Sequence, residues 1–77
     1  MVTAEILLDT VQKVKDFSSS IIKMEAECEL VQGLRILDAK SIMGIFSLDL
    51  SKPIQLRIDS DGSDVPEGLK RFLVKNE

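Results

Sequence analysis

Few side chains in this 77-residue sequence can do chemistry, and they do not cluster. There is no histidine, which removes the commonest general base, the commonest metal ligand and the usual nitrogen acceptor for a phosphoryl group. Ser–His and Cys–His nucleophile pairs are excluded with it. The lone Cys28 lies between Glu27 and Glu29. A reactive thiol needs nearby cations, so a buried, reduced, structural role is expected. One cysteine without histidine is also too little for a zinc site. Asp59, Asp61 and Asp64 share the stretch "DSDGSD", which reads as a solvated acidic turn. It lacks the twelve-residue loop and closing glutamate of an EF-hand, so no metal and no cofactor are expected. The remaining candidate is Ser41, in "AKSIMGIFSL", where Lys40 is the one charge ahead of a run of apolar residues.

Composition narrows the classes further. With 44% hydrophobic and 30% charged residues the chain reads as a folded globular domain, and its length suits a single domain spanning residues 1–77. A net charge of −3 with interspersed signs gives no basic stripe, so nucleic acid is not an expected partner. No apolar run is long enough to span a bilayer, and no basic flank precedes an apolar block at the N-terminus. Membrane insertion is not expected, and a cytoplasmic location is.

The elements that must position Ser41 follow from hydrophobic period. "VTAEILL" (2–8) alternates as a half-buried strand, with Val2, Ala4, Ile6 and Leu8 on one side. Asp9 or Thr10 offers an N-cap, and Val14, Phe17, Ile21 and Met24 recur at helical steps to about residue 24. The Ser18–Ser20 run keeps that period and is read as a solvent-facing patch. "AECELVQGLRILDA" reads as a hairpin broken at Gln32–Gly33, with Leu34, Ile36 and Leu37 resuming the apolar pattern. Pro53 opens a last strand, "IQLRID", with Ile54, Leu56 and Ile58 inward. Residues 60–64 form a turn, and Asp64 caps a final helix with Pro66 in its first turn and Val65, Leu69, Phe72 and Leu73 on its apolar face. The order βαββαβα, with helices gathered on one face of the sheet, defines an α+β open-faced sandwich.

Ser41 stands at the N-cap position of the short middle helix, where its oxygen can accept from the amide of Met43 or Gly44. Ile42, Ile45 and Leu48 can then face the core, while Met43 and Phe46 point outward around Gly44, which lets another surface approach. Two readings stay open. In one, Ser41 is only a cap and the large apolar residues are core. In the other, a phosphate on Ser41 adds about −1.5 to −2 charges at the positive end of a helix, beside Lys40. It would change how a partner meets the exposed apolar residues.

The stretch "DAKSIMGIFSLDL", in this element order, resembles the histidine-containing phosphocarrier proteins (HPr) of the bacterial sugar phosphotransferase system. The family's Lys-Ser-Ile-Met-Gly core stands intact as Lys40-Ser41-Ile42-Met43-Gly44, and the spacing back to the hairpin glycine, Gly33, matches without gaps. The resemblance extends over about residues 10 to 59. It implies a four-stranded antiparallel sheet in the order 1-4-2-3, covered on one face by three helices. It departs from the family at the start of the first helix, where members carry a histidine followed by alanine, arginine and proline. Here the stretch is Thr10-Val11-Gln12-Lys13, so Thr10 and Gln12 occupy the histidine and arginine positions, after a shortened loop. A phosphothreonine ester hands on its phosphoryl group far less readily than a phosphohistidine.

What the resemblance implies is therefore a non-catalytic, regulatory HPr-like protein, similar in logic to catabolite repression HPr. Ser41 is its candidate phosphorylation switch, and Lys40, Ile42, Met43 and Phe46 form its docking patch. The implied partners are an HPr kinase/phosphorylase and a catabolite control repressor or transport regulator; a homodimer is a further possibility. The alternatives are an HPr-fold binding domain never phosphorylated, and a residual phosphocarrier using Thr10 or another hydroxyl.

Overall fold

A computed structural model describes residues 1–60 and 65–74. Strands β1 (Val2–Ile6), β2 (Glu27–Gln32), β3 (Arg35–Asp38) and β4 (Ile54–Asp59) form one antiparallel sheet in the order β1-β4-β2-β3. Helix α1 (Val11–Ile21) lies between β1 and β2, α2 (Ile42–Phe46) between β3 and β4, and a 3₁₀ helix (Glu67–Phe72) follows β4. This is the open-faced α+β architecture that the element order implied.

The period-2 alternation of β4 organises the packing. Ile54, Leu56 and Ile58 are buried, while Gln55 and Asp59 face solvent. Register places Ile58 beside Val2 and Cys28, and Leu56 beside Ala4 and Leu30. One sheet face is thus continuous aliphatic surface, onto which α1 lays Val14, Phe17 and Ile21 at three- and four-residue steps. Phe17 meets Phe72 of the 3₁₀ helix edge-to-face, with centroids 5.6 Å apart at 86°, an arrangement the ring quadrupoles favour. Cys28 is buried, and burial pushes its thiol pKa up, as suits an inert structural cysteine.

Several boundaries differ from the sequence reading. β1 ends at Ile6, not residue 8, because the chain then turns its hydrogen bonds outward: Leu7 N–H donates to Phe72 C=O and Val74 N–H to Glu5 C=O, both at 2.9 Å. Helix α1 stops at Ile21, not 24. The serine run inside it has modest helix propensity, and Met24 reaches the core from the connection instead, its N–H bonded to Ile21 C=O. The hairpin turn is centred one residue later than expected, on Gly33–Leu34, since Gln32 pairs with Arg35. Gly33 has φ +62°, the only positive φ among the described residues, the II′ pattern with glycine first. That register leaves Leu34 at the tip and Ile36 on the open face, and only Leu37 packs inward.

The last helix is 3₁₀, not α: Leu69 N–H donates to Pro66 C=O and Leu73 N–H to Lys70 C=O. Its two buried residues, Leu69 and Phe72, are three apart, which three residues per turn align on one side. Pro66 precedes it as cap without a side-chain hydrogen bond. The acidic-turn residues Asp61 and Asp64, and with them the proposed Asp64 cap, lie outside the described residues. Phe17→Ala should cost about 3–5 kcal/mol, because it removes a fully buried ring and its partner contact; urea unfolding measures this directly.

Candidate functional site

Two places carry the residues singled out by sequence: the start of α1 and the start of α2. At α1, Thr10 is the N-cap, with extended backbone (φ −133°, ψ 154°), and its Oγ1 accepts from Lys13 N–H at 3.1 Å. Of the two caps considered, Thr10 takes the role. Asp9 is paired with Lys13 through a 2.9 Å contact from Nζ to Oδ1, and that hydrogen bond holds the Asp9 carboxyl below its ordinary range. Gln12 donates from Nε2 to Asp16 Oδ1 at 2.9 Å, along the helix surface. The hydroxyl is thus already an acceptor for the backbone, and an ionised carboxylate stands just ahead of it. Neither feature suits a site that must receive a multiply charged phosphoryl group.

At α2, Ser41 is exposed and caps the helix, accepting from Gly44 N–H at 3.3 Å. Its own N–H donates to Asp38 C=O at 3.0 Å, and its C=O receives Ile45 N–H at 3.1 Å. The amides of Ile42 and Met43 have no hydrogen-bond partner among the described residues, as befits a first helical turn. Ile45 and Leu48 are buried, while Met43 is 80% and Phe46 43% exposed, as the helical spacing indicated. Ile42 is 37% exposed and so does not join the core; in a five-residue helix one buried residue, Ile45, suffices to seat the turn. That leaves Ile42, Met43 and Phe46 together on the outer side.

Two expectations about neighbours need correction. Lys40 does not turn its ammonium toward Ser41: Nζ donates to Met24 C=O at 2.8 Å, tying the start of α2 to the α1–β2 connection. Gly44 is close to the protein's own surface. A β-carbon there would lie 3.3 Å from Ser41 Oγ and 3.4 Å from Leu37 Cδ1, so glycine makes room for the cap and for β3 before any partner.

The residues that fix α2 were not apparent in the sequence. The Gln32 side chain makes a reciprocal pair with the Asp49 backbone, Nε2 to C=O and N–H to Oε1, both 2.8 Å. Arg35 donates to both the carbonyl and the hydroxyl of Ser47, the α2 C-cap, where a cation also complements the helix dipole. The hairpin thereby grips the far end of α2 while Ser41 closes the near end. Among the described residues no group of three His, Cys, Asp or Glu side chains could hold a metal ion, and no helix is long and apolar enough to cross a membrane.

Sheet order, helical cover and a serine-capped middle helix define an open-faced α+β domain of the phosphocarrier type. The family model PTS-HPr, described as "PTS HPr component phosphorylation site", matches residues 7–73. The chain belongs to this family, the HPr proteins of the phosphotransferase system. The crystal structure of HPr-C-His from Thermoanaerobacter tengcongensis superposes with a TM-score of 0.71 at 23% identity, covering 91% of this chain and 84% of that one, a likeness of fold. No curated protein sequence matches the chain.

Two measurements check the α1 geometry. Thr10→Ala should lower stability by about 1 kcal/mol, whereas Thr10→Ser should leave it nearly unchanged. Lys13→Met should raise the titration midpoint of Asp9 followed by NMR. The sign follows from the lowered carboxyl pKa: its stabilising contribution is present above the unfolded-state pKa and is lost as pH falls through the folded-state value.

Proposed function

We propose that the protein is a regulatory, non-enzymatic HPr-like protein in which Ser41 is a phosphorylation switch and Lys40, Ile42, Met43 and Phe46 form the surface a partner reads. The observation that carries this reading is the exposed Ser41 cap beside three exposed apolar side chains, in a chain without histidine. Phosphate on Ser41 would add charge next to the amides of Ile42 and Met43, which have no partner among the described residues and can donate hydrogen bonds to its oxygens. The same charge changes the electrostatic rim of the apolar patch, which is how a modification selects a partner without refolding the domain.

Phosphoryl relay is not part of this function. Thr10 already serves as a cap beside the Asp9 carboxylate, and its ester would lack the reactivity of a P–N bond. The partners that fit are an HPr kinase/phosphorylase, which would place the mark, and a catabolite control repressor or transport regulator, which would read it. Those partners would place the protein in the cytoplasm of a bacterium.

A second reading, an HPr-fold binding domain that is never phosphorylated, draws support from Lys40. Its ammonium is committed to Met24 C=O, so it is not poised at Ser41. The two readings separate in one experiment. Incubation with an HPr kinase/phosphorylase and ATP should add a single phosphate, mapped to Ser41 by mass spectrometry and absent in Ser41→Ala. An unmodified chain, or a phosphate elsewhere, selects the binding-domain reading. Labelling from phosphoenolpyruvate and enzyme I that passes onward to a sugar permease subunit would overturn the exclusion of relay.

A further inference from the structure

Lys40 immediately precedes Ser41, yet its charge is directed elsewhere. Its Nζ donates to Met24 C=O at 2.8 Å in a part-buried contact, and no described carboxylate forms an ion pair with it. The Asp38 carboxylate is close by: its Oδ1 accepts the Lys40 N–H at 2.9 Å, and Asp38 C=O accepts the Ser41 N–H at 3.0 Å. That single charge does not draw the ammonium across. A full positive charge therefore rests on a neutral carbonyl, one residue from the hydroxyl at which new charge would arrive. The Met24 end of the contact is lightly held. Met24 N–H bonds to Ile21 C=O at 3.1 Å in the turn after α1, and its side chain is only partly buried against the core. The Lys40 bond, across 16 positions of sequence, joins this connection to the start of α2.

We propose, resting on the reading of Ser41 as the phosphorylated residue, that Lys40 is the moving part of the switch: phosphate on Ser41 takes the ammonium from Met24 C=O. The group brings about −1.5 to −2 charges and three acceptor oxygens. Neighbouring Cα atoms are about 3.8 Å apart, so the flexible four-carbon stem of lysine reaches a phosphate on the next residue. An ammonium–phosphate contact adds the attraction of two full charges to the hydrogen bond, which a carbonyl cannot supply. The phosphate also arrives beside the Asp38 carboxylate, and a cation brought to it offsets that repulsion. The exchange has two effects. Lys40 joins Ile42, Met43 and Phe46 on the outer surface only when Ser41 carries phosphate, so the modified patch gains a cation as well as an anion. The connection between α1 and β2 loses its tie to α2, which carries the state of Ser41 to the end of α1.

The full chain carrying phosphoserine at position 41, made by chemical semisynthesis, tests this without any kinase. A kinase that leaves Ser41 unmodified therefore counts against the switch reading, and the Lys40 exchange is judged separately. The carbonyl ¹³C resonance of Met24 reports whether that oxygen accepts a hydrogen bond. Phosphate on Ser41 should shift it upfield, toward its position in unphosphorylated Lys40→Met, and phosphatase treatment should return it. Phosphorylated Lys40→Met should show no further shift, with its other amide resonances in place as the sign that the variant is folded. A Met24 resonance that phosphate leaves where it was overturns the proposal. So does an equal phosphate-dependent shift in Lys40→Met, because the signal then reaches Met24 by a route that does not use the ammonium.

Discussion

The structure depends on β4 running between β1 and β2 with three of its side chains turned to one face. Ile54, Leu56 and Ile58 unite residues from the start and the middle of the chain into one apolar surface. A domain this small has no second core to fall back on, so α1, α2 and the 3₁₀ helix are held by that single surface and by one another. The T-shaped Phe17–Phe72 contact joins the first and last helical segments over it. Arg71 lies over the Phe72 ring at 4.9 Å and pairs with Asp16 at 3.2 Å, extending the same junction outward.

The candidate switch is positioned by a different kind of interaction. α2 is too short to be stable by itself; it is held by Ile45 below, the Ser41 cap at one end and the Arg35 and Gln32 contacts at the other. Its outer residues are therefore held from below and from both ends, although α2 contributes only Ile45 to the buried residues. Lys40 adds a third tether, to the connection between α1 and β2. The patch formed by Ile42, Met43 and Phe46 thus owes its orientation to residues from α1's end, the hairpin and the loop after α2.

Periodicity explains what could be read from the sequence. Strand alternation in β1, β2 and β4 and the Val14–Phe17–Ile21 spacing lead directly to the buried face, because each depends on local repeats. The Thr10 and Ser41 caps were legible for the same reason: capping is a short-range pattern. Ile42 was not, since a five-residue helix gives too few turns to fix which side faces inward. The hairpin slipped by one residue because glycine can take either central position of a turn, and only pairing with β2 decides. The Gln32–Asp49 and Arg35–Ser47 contacts join residues 17 and 12 positions apart and leave no periodic trace. The final helix spaces Leu69 and Phe72 by three, compatible with both helical types, and packing selected the tighter one.

The cap at Thr10 also bears on what installing a phosphoryl acceptor there would disturb. Its hydroxyl closes the first turn of α1, and Lys13, which donates its amide to that hydroxyl, also pairs through its ammonium with Asp9. An imidazole at this position would displace the hydroxyl and bring an incoming anion up beside a carboxylate, so chemistry and helix stability compete for one residue.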